Sequence, residues 1–171
     1  IYAVVVFIIL IKKKNINHIV KSIVITMGGS DINDFTVKVI EALNGLDLPN
    51  IKKTVVIGPA FENIERFRTY KNFDFLYNIS NMAEVMFHAD IVIAGAGLTL
   101  YELACVGTPG IVLCQTNYQS LEARCFEREK VVLNLGQKEN ISAESIQSEL
   151  KLLLNDYRKR QEMSISGKKI I

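Results

Sequence analysis

From residue 22 onward, short runs of β-branched and apolar residues alternate with longer amphipathic runs. The apolar runs occupy residues 22–27, 53–58, 73–77, 90–95, 110–114 and 131–135. Several of them are continuous Val and Ile stretches, which is typical of strands buried on both faces of a parallel sheet. The amphipathic runs occupy residues 34–43, 61–70, 81–89, 98–106 and 120–128, and a helical tail begins at residue 142. The pattern predicts an α/β fold with a Rossmann-like, doubly wound parallel sheet.

In two of the predicted helices, the spacing of apolar residues predicts which face is buried. In the first helix, Phe35, Val39 and Leu43 follow one another at a spacing of four residues, so their side chains lie on one face. In the tail, we expect Ile146 and Leu152 to share a buried face.

The same pattern predicts where helices and domains end. Gly45 and Gly107 directly follow predicted helices, at the position where a left-handed glycine commonly ends a helix. Residues 22–155 contain neither a linker nor an internal repeat, so we predict one domain over residues 22–171.

Residues 1–21 form an apolar and basic segment that we interpret as a linker from a preceding N-terminal domain. Its first eleven residues are apolar, well short of the roughly 20 that a membrane-spanning helix needs. The basic residues Lys12 to Lys14 follow the apolar run, whereas a signal peptide has them before it. An alternative is that this segment packs against a second copy of the chain.

Composition excludes several classes of function. The chain has 20 basic and 18 acidic residues, no Trp and no basic stripe, so a nucleic-acid partner is not predicted. Its three cysteines show no CxxC spacing and its two histidines are not in register with them, so no metal site is predicted. The cysteines look like reduced core residues, which favours a cytoplasmic protein.

Most of the Gly, Ser, Asn and Gln clusters follow predicted strands, at the edge where open α/β sheets bind ligands. None of these loops matches a P-loop, since none ends in Gly-Lys-Ser/Thr. The loop "GAGLTL" has Leu100 where the dinucleotide fingerprint needs its third glycine. An NAD- or SAM-dependent enzyme is therefore a weak alternative, and no cofactor is predicted.

Two of these loops carry candidate chemistry. In "MGGSD", Gly28 and Gly29 let the backbone approach a ligand, and the following helix would offer its free N–H groups to a phosphate. The alternative is a tight turn in which Ser30, Asp31 or Asn33 caps the helix. The pair Thr99 and Glu102 has the spacing of a capping box, or else Glu102 accepts hydrogen bonds from two ribose hydroxyls.

Together, these motifs resemble the C-terminal, nucleotide-sugar-binding half of two-domain glycosyltransferases of family 28. The similar proteins are the peptidoglycan N-acetylglucosaminyltransferase family and the branch that contains the UDP-sugar hydrolase of pseudaminic acid biosynthesis and spore-coat polysaccharide proteins. The resemblance covers residues 22–135 and rests on four stretches: "GGS" (28–30), "NISNMAEVMFHADIVI" (78–93), "GAGLTLYELACVGTPGIVL" (95–113) and "NYQ" (117–119).

The resemblance implies one half of a GT-B architecture, with a UDP-sugar as ligand. The residues implied to face the diphosphate are Gly28, Gly29, Ser30, Gly97, Leu98 and Thr99. The main chain of Ile79 would meet the uracil edge, with Met82 packed nearby. Glu102 would hold the ribose, and Asn117 and Gln119 would reach the sugar.

The chain departs from the family pattern at two points. Asp31 places a negative charge beside the proposed diphosphate, which would repel it unless the side chain turns away to cap the helix. The "NYQ" loop is not the Gln-rich run of the peptidoglycan enzymes and is closer to the hydrolase branch.

The predicted function is that of the UDP-sugar-binding domain of a glycosyltransferase or nucleotide-sugar hydrolase in polysaccharide or glycan biosynthesis. Catalytic residues are not identified, since the resemblance places them in the N-terminal half, and the isolated domain is expected to be inactive. The alternative is a non-catalytic interaction or scaffold module of a polysaccharide assembly pathway.

Overall fold

A computed structural model describes residues 13–171, which contain a six-stranded, entirely parallel sheet. The strand order is β3-β2-β1-β4-β5-β6. The strands are β1 (Ser22–Thr26), β2 (Lys52–Ile57), β3 (Asp74–Tyr77), β4 (Ile91–Gly95), β5 (Gly110–Cys114) and β6 (Val132–Gln137). The predicted doubly wound parallel sheet is confirmed, and its order reverses between β1 and β4.

Helices cover both faces of this sheet. They are α1 (Phe35–Asn44), α2 (Met82–His88), α3 (Leu98–Val106), α4 (Asn117–Arg128), α5 (Ala143–Asn155) and α6 (Tyr157–Ile170). Two short 3-10 helices, Ile64–Thr69 and Lys138–Asn140, complete the described elements.

Alternate residues of the strands build two separate cores. Along β4, Ile91 and Ile93 enter the core that contains the buried faces of α1 and α5, whereas Val92 and Ala94 enter the core with α2, α3 and α4. Because both faces of the four central strands are buried, these strands read as continuous apolar runs, which is why the pattern identified them. The predicted face of α1 is also confirmed, since Phe35, Val39 and Leu43 are fully buried.

Two predictions about the helices were wrong. Residues 61–70 form only a 3-10 helix over Ile64–Thr69, bounded by Asn63 at φ 50° and by the non-helical Tyr70. Leu152 is 40% exposed, because the buried face of α5 runs through Ile146, Leu150 and Leu153.

The two helix-ending glycines differ from one another. Gly107 has φ 71° and ψ 26°, so the predicted left-handed helix end is confirmed there. The same prediction is wrong at Gly45, which continues the right-handed geometry of α1 with φ −75° and ψ −1°.

Residues 13–21 lie along the amino ends of the strands and are fastened to the domain. Lys14 donates from Nζ to the carbonyl oxygens of Phe87 and Ala89, which close α2. Asp90 accepts hydrogen bonds from the backbone of Lys21 at 2.8 Å and from Ser22 at 3.0 Å. The part of the predicted linker that the structure describes is thus built into this domain.

The other predictions for the N-terminal segment concern residues 1–12, which lie outside the described residues. These include its packing against a second copy. Within residues 13–171, no helix combines the length and the apolar character needed to cross a bilayer.

Candidate functional site

A cleft of about 480 Å³ opens at the carboxyl edge of the sheet, where the strand order reverses. In doubly wound sheets this is the place where loops diverge and leave room for a ligand. The cleft is lined by Thr26, Gly28, Gly29, Val56, Ile57, Gly58, Pro59, Asn78, Ile79, Met82, Leu98, Thr99 and Glu102.

Seven of the eleven residues predicted for the site line this one cleft. They are Gly28, Gly29, Ile79, Met82, Leu98, Thr99 and Glu102. These residues come from the loops after β1 and β3 and from the N-terminal turns of α2 and α3, which the parallel topology places at the same edge of the sheet.

The other four predicted residues lie beside the cleft. Ser30 lines a neighbouring hollow that also contains Arg66, and Gly97 is the N-cap of α3. Asn117 points toward β6, where its Oδ1 accepts a hydrogen bond from Gln137 at 2.6 Å. Gln119 lies close to Gly97, since a Cβ built on Gly97 would stand 3.4 Å from the Nε2 of Gln119.

The loop after β1 forms one wall of the cleft through its two glycines. Gly28 has φ +82°, a conformation that side chains of L-residues rarely adopt. Its N–H donates to the Oγ1 of Thr26 at 3.3 Å, which closes the turn. A Cβ built on Gly29 would meet no atom within 4 Å, so this residue faces open space.

The carboxylate of Asp31, next to this loop, is turned toward the start of α1. Its Oδ1 accepts from the N–H of Phe35 at 2.9 Å, and its Oδ2 accepts from the N–H of Thr36 at 2.7 Å. The side chain therefore caps α1, as the alternative interpretation of this loop anticipated. The expectation that the first turn of α1 offers free N–H groups to a phosphate is wrong, because Asp31 occupies two of them.

The N-terminus of α3 is different, because no side chain caps it. Gly97 is its N-cap, with φ 115° and ψ −140°, and glycine has no side chain to donate or accept. Thr99 is the second residue of the helix, so Thr99 and Glu102 do not form a capping box. The first N–H groups of a helix point out of its N-terminus, and here that end borders the cleft.

The opposite wall of the cleft is largely apolar. Val56, Ile57 and Pro59 come from the end of β2, and Ile79 and Met82 come from the segment that leads into α2. The family resemblance implied the last two, whereas no residue of β2 or of the loop after it was predicted for the site. The dipeptide Gly58-Pro59 directly after a buried strand was a signal that could have identified it.

Of the described residues that line the cleft, Glu102 is the one with a charged side chain. It is half-buried, one helical turn before Cys105. Burial, followed by the charge of Glu102, raises the pKa of the Cys105 thiol. Among residues 13–171, no group of three or more His, Cys, Asp or Glu side chains could hold a metal ion.

Comparison with known proteins identifies the family. The model of the glycosyltransferase family 28 C-terminal domain matches residues 22–170. The chain belongs to this family. The predicted resemblance is therefore confirmed over nearly the whole described domain.

Two curated relatives are similar to this chain. The spore coat polysaccharide biosynthesis protein SpsG of Bacillus subtilis is 26% identical over 156 residues, which cover 88% of this chain and 46% of SpsG. An uncharacterised protein of Methanocaldococcus jannaschii is 33% identical over 118 residues, which cover 65% of this chain and 24% of that protein. The chain spans less than half the length of these relatives.

Solved glycosyltransferase structures share the fold. MurG of Acinetobacter baumannii superimposes with a TM-score of 0.71 at 16% identity, covering 96% of this chain and 48% of MurG. Spinosyn rhamnosyltransferase SpnG, complexed with thymidine diphosphate, has a TM-score of 0.68 at 16% identity, covering 92% of this chain and 42% of SpnG. The fold is thus that of one half of these GT-B enzymes.

Proposed function

We propose that this chain binds a UDP-sugar in the cleft as the nucleotide-sugar-binding half of a two-domain enzyme. The enzyme would transfer the sugar, or hydrolyse it from UDP, in polysaccharide or glycan biosynthesis. The observation that carries this proposal is the composition of the cleft. A double-glycine loop, a helix N-terminus without a side-chain cap, an apolar wall and one carboxylate meet at the switch point of the sheet.

In this proposal the diphosphate lies between the Gly28–Gly29 loop and the N-terminus of α3. A helix N-terminus carries roughly half a positive charge and offers N–H donors, so it favours an anion without any basic side chain. Leu98 and Thr99, the first residues of α3, supply these donors. The capped end of α1 is not available for this role, because Asp31 occupies it.

The nucleoside would occupy the remainder of the cleft. The main chain of Ile79 would meet the edge of the uracil, with Met82 packed beside it. Glu102 would hold the ribose, because the two oxygens of a carboxylate can accept one hydrogen bond from each of two neighbouring hydroxyls. Gln119, which lies next to Gly97, would reach the sugar, whereas the side chain of Asn117 is hydrogen-bonded to Gln137 at the end of β6.

The exposed apolar residues around the cleft support the proposal that a second domain packs on this edge of the sheet. Ile32, Leu98 and Tyr118, each at the start of a loop or helix that follows a strand, are 71%, 84% and 75% exposed. Exposed apolar side chains beside a cleft fit an interaction surface, although similar residues such as Ile19 and Ile165 are exposed elsewhere on the domain. The lengths of the relatives and structural neighbours, each about twice that of this chain or more, support an N-terminal domain as the partner.

Structural neighbours support the class of ligand. SpnG, which shares the fold, is solved in complex with thymidine diphosphate, a pyrimidine nucleoside diphosphate. Thymidine diphosphate lacks the ribose 2′-hydroxyl that Glu102 would bind. The preference between ribose and deoxyribose therefore tests the role of Glu102 directly.

The test is a titration of the chain with UDP and with 2′-deoxy-UDP, followed by calorimetry or NMR. We expect UDP to bind with micromolar to millimolar affinity, of order −8 to −4 kcal/mol, and more tightly than its deoxy analogue. Glu102→Ala should weaken UDP and remove the preference, whereas Glu41→Ala, an exposed glutamate of α1, should change neither. Absence of UDP binding at millimolar concentration would refute the proposal.

The proposal also predicts that this chain alone does not turn over a UDP-sugar. Glu102 is committed to the ribose, and the other described residues that line the cleft carry no general base. The contribution of this half would be electrostatic, holding the diphosphate as negative charge develops on it. A cytoplasmic location stays a prediction, but the expectation that all three cysteines are core residues holds for Cys114 alone, since Cys105 is half-buried and Cys125 is exposed.

A further inference from the structure

Gln115, the residue directly after β5, reaches the Gly28–Gly29 loop across the end of β4. A Cβ built on Gly95, the last residue of β4, would stand 3.3 Å from the Nε2 of Gln115 and 3.0 Å from the carbonyl oxygen of Met27. The absence of a side chain at Gly95 therefore leaves the path between β5 and the β1 loop open. Gln115 itself does not line the cleft.

The side chain of Gln115 bridges both ends of the double glycine. Its Nε2 donates to the carbonyl oxygens of Met27 and Ser30, each at 3.2 Å. These two residues flank Gly28 and Gly29 in the chain. Its Oε1 accepts from the N–H of Ile32 at 3.1 Å, just beyond the loop.

This pattern requires a primary amide. Two carbonyl oxygens need a donor, and the N–H of Ile32 needs an acceptor, so the amide can be placed in only one orientation. A carboxylate would face two carbonyl oxygens without a proton to give, and an aliphatic side chain would leave all three groups unpaired. The backbone of Gln115 is itself fixed, since its N–H donates to the Oε1 of Gln119 at 2.8 Å.

We propose that Gln115 is a positioning residue of the nucleotide site: it holds the Gly28–Gly29 loop in the conformation that receives the phosphate groups. The proposal rests on the proposed function, because it assigns the phosphate end of the ligand to this loop. It gives Gln119 a second task, since Gln119 fixes the backbone from which Gln115 reaches the loop. Gln115 acts through the loop and does not contact the ligand.

The test compares UDP with uridine, which lacks the phosphates, on the wild-type chain and on Gln115→Leu and Gln115→Glu. We expect Gln115→Leu to weaken UDP binding roughly tenfold or more, because the N–H donors of the loop are no longer held in place, and to change uridine binding less than about twofold. Gln115→Glu should weaken UDP at least as much, but its added negative charge also repels the phosphates, so the uncharged leucine variant decides the outcome. Chemical-shift titration measures both ligands on one sample. Gln161→Leu is the matched control, because Gln161 donates to the Tyr157 hydroxyl on α6, away from the cleft.

Amide hydrogen exchange at Ile32 reports the loop without a ligand. We expect faster exchange in Gln115→Leu, which has lost the acceptor for this N–H, and a smaller change in Gln115→Glu, which keeps an oxygen there. The glutamate variant has nearly the size of glutamine, so it serves where the leucine variant does not fold.

The outcomes separate this role from the proposed function. If wild type does not bind UDP, the proposed function is wrong and the positioning role with it. If wild type binds UDP and the folded Gln115 variants bind it equally well, only the positioning role is overturned. If UDP and uridine weaken by the same factor, Gln115 supports the fold in general and the proposal is again overturned.

Discussion

The backbone of Gly58 packs directly on the carbonyl group of Gly28. A Cβ built on Gly58 would stand 2.1 Å from the Gly28 oxygen and 2.6 Å from that of Gly29. The N–H of Ala60 also donates to the Gly29 oxygen at 2.9 Å. The loop after β2 therefore supports the double glycine from one side, and Gln115 holds it from the other.

Replacing Gly58 with alanine should disturb this contact. Because the clash is with backbone atoms, the two loops must move apart, and we expect Gly58→Ala to destabilise the fold by about 1–3 kcal/mol, as overpacking does. UDP affinity should fall with it. Urea unfolding and a UDP titration measure the two effects.

Gly45→Ala is the control for the added methyl group. Gly45 already has helical φ and ψ. The nearest atom to its Cβ, at 2.6 Å, is the Nε2 of Gln147, a side-chain end that can move at the cost of its hydrogen bond to the Ala42 carbonyl oxygen, whereas the backbone around Gly58 cannot yield in this way. Wild-type stability and UDP affinity in Gly58→Ala would contradict the packing of these two loops.

The sequence predicted the sheet well because its four central strands, β2, β1, β4 and β5, are buried on both faces. Continuous apolar runs then have few alternatives, and the loops at the carboxyl edge follow from the parallel topology. That reasoning pointed to the glycines of the β1 loop and to the pair Thr99 and Glu102, whereas Ile79, Met82 and Leu98 were implied only by the family resemblance.

What the sequence did not predict depends on contacts between distant segments. Gln115 bonds to a backbone group 83 residues away, and Gly58 meets Gly28 in a neighbouring loop. Neither of these two contacts can be predicted from the spacing of residues along the sequence. Asp31 was ambiguous for another reason: a carboxylate near a helix start can face a ligand or cap the helix, and only the side-chain conformation decides.

Arg160 should be a major source of stability. Its side chain is fully buried, and its guanidinium donates to the carbonyl oxygens of Leu153, Leu154, Asn17 and His18. Arg160→Met would leave these acceptors without their donors, and we expect a loss of about 2–4 kcal/mol in the free energy of unfolding. Urea denaturation measures it. Arg158→Met, on the exposed face of the same helix, should change stability by less than about 0.5 kcal/mol.

The titration of Lys14 should make the free energy of unfolding change with pH in the alkaline range. Burial lowers its pKa from 10.5 to about 8, and the charge of Asp90 opposes the shift. Between pH 8 and 10.5 the unfolded chain therefore binds more protons at this amine than the folded chain does. Folding becomes more favourable as pH rises through this range. His88 and Lys13 line the same hollow as Lys14 and Asp90. Because these groups are present both in the wild type and in the Lys14→Met variant, their own titration cancels when the two are compared.

The comparison is with Lys14→Met, which removes this titration and leaves the others in place. Unfolding free energies at pH 7.5, 9 and 10 should show the wild type gaining stability relative to the variant as the pH increases. A difference that stays constant, or that changes in the opposite direction, would show that Lys14 is not buried as described.

The three cysteines should differ in reactivity. Burial raises the pKa of Cys114 to about 11, and it raises that of Cys105 as well, whereas Cys125 is exposed on α4. Since the thiolate is the nucleophile, iodoacetamide at pH 8 should alkylate Cys125 first and Cys114 last. Peptide mass spectrometry follows each site. Cys125→Ser should remove the fast phase and leave the slow ones, and rapid labelling of Cys114 would contradict its place in the core.

Gly29→Ala separates binding from folding most cleanly. Gly28 needs a positive φ, but Gly29 does not, and a methyl group on Gly29 would meet no protein atom within 4 Å. The free energy of unfolding should therefore change by less than about 0.5 kcal/mol, as for substitutions that touch nothing.

If the diphosphate lies against this loop, the methyl group occupies its space, and UDP affinity should fall at least roughly tenfold, or about 1.4 kcal/mol. Uridine, which has no phosphates, should bind as before. Unchanged UDP affinity in a stable Gly29→Ala protein would place the phosphates elsewhere in the cleft, so the second glycine would then have no role in binding.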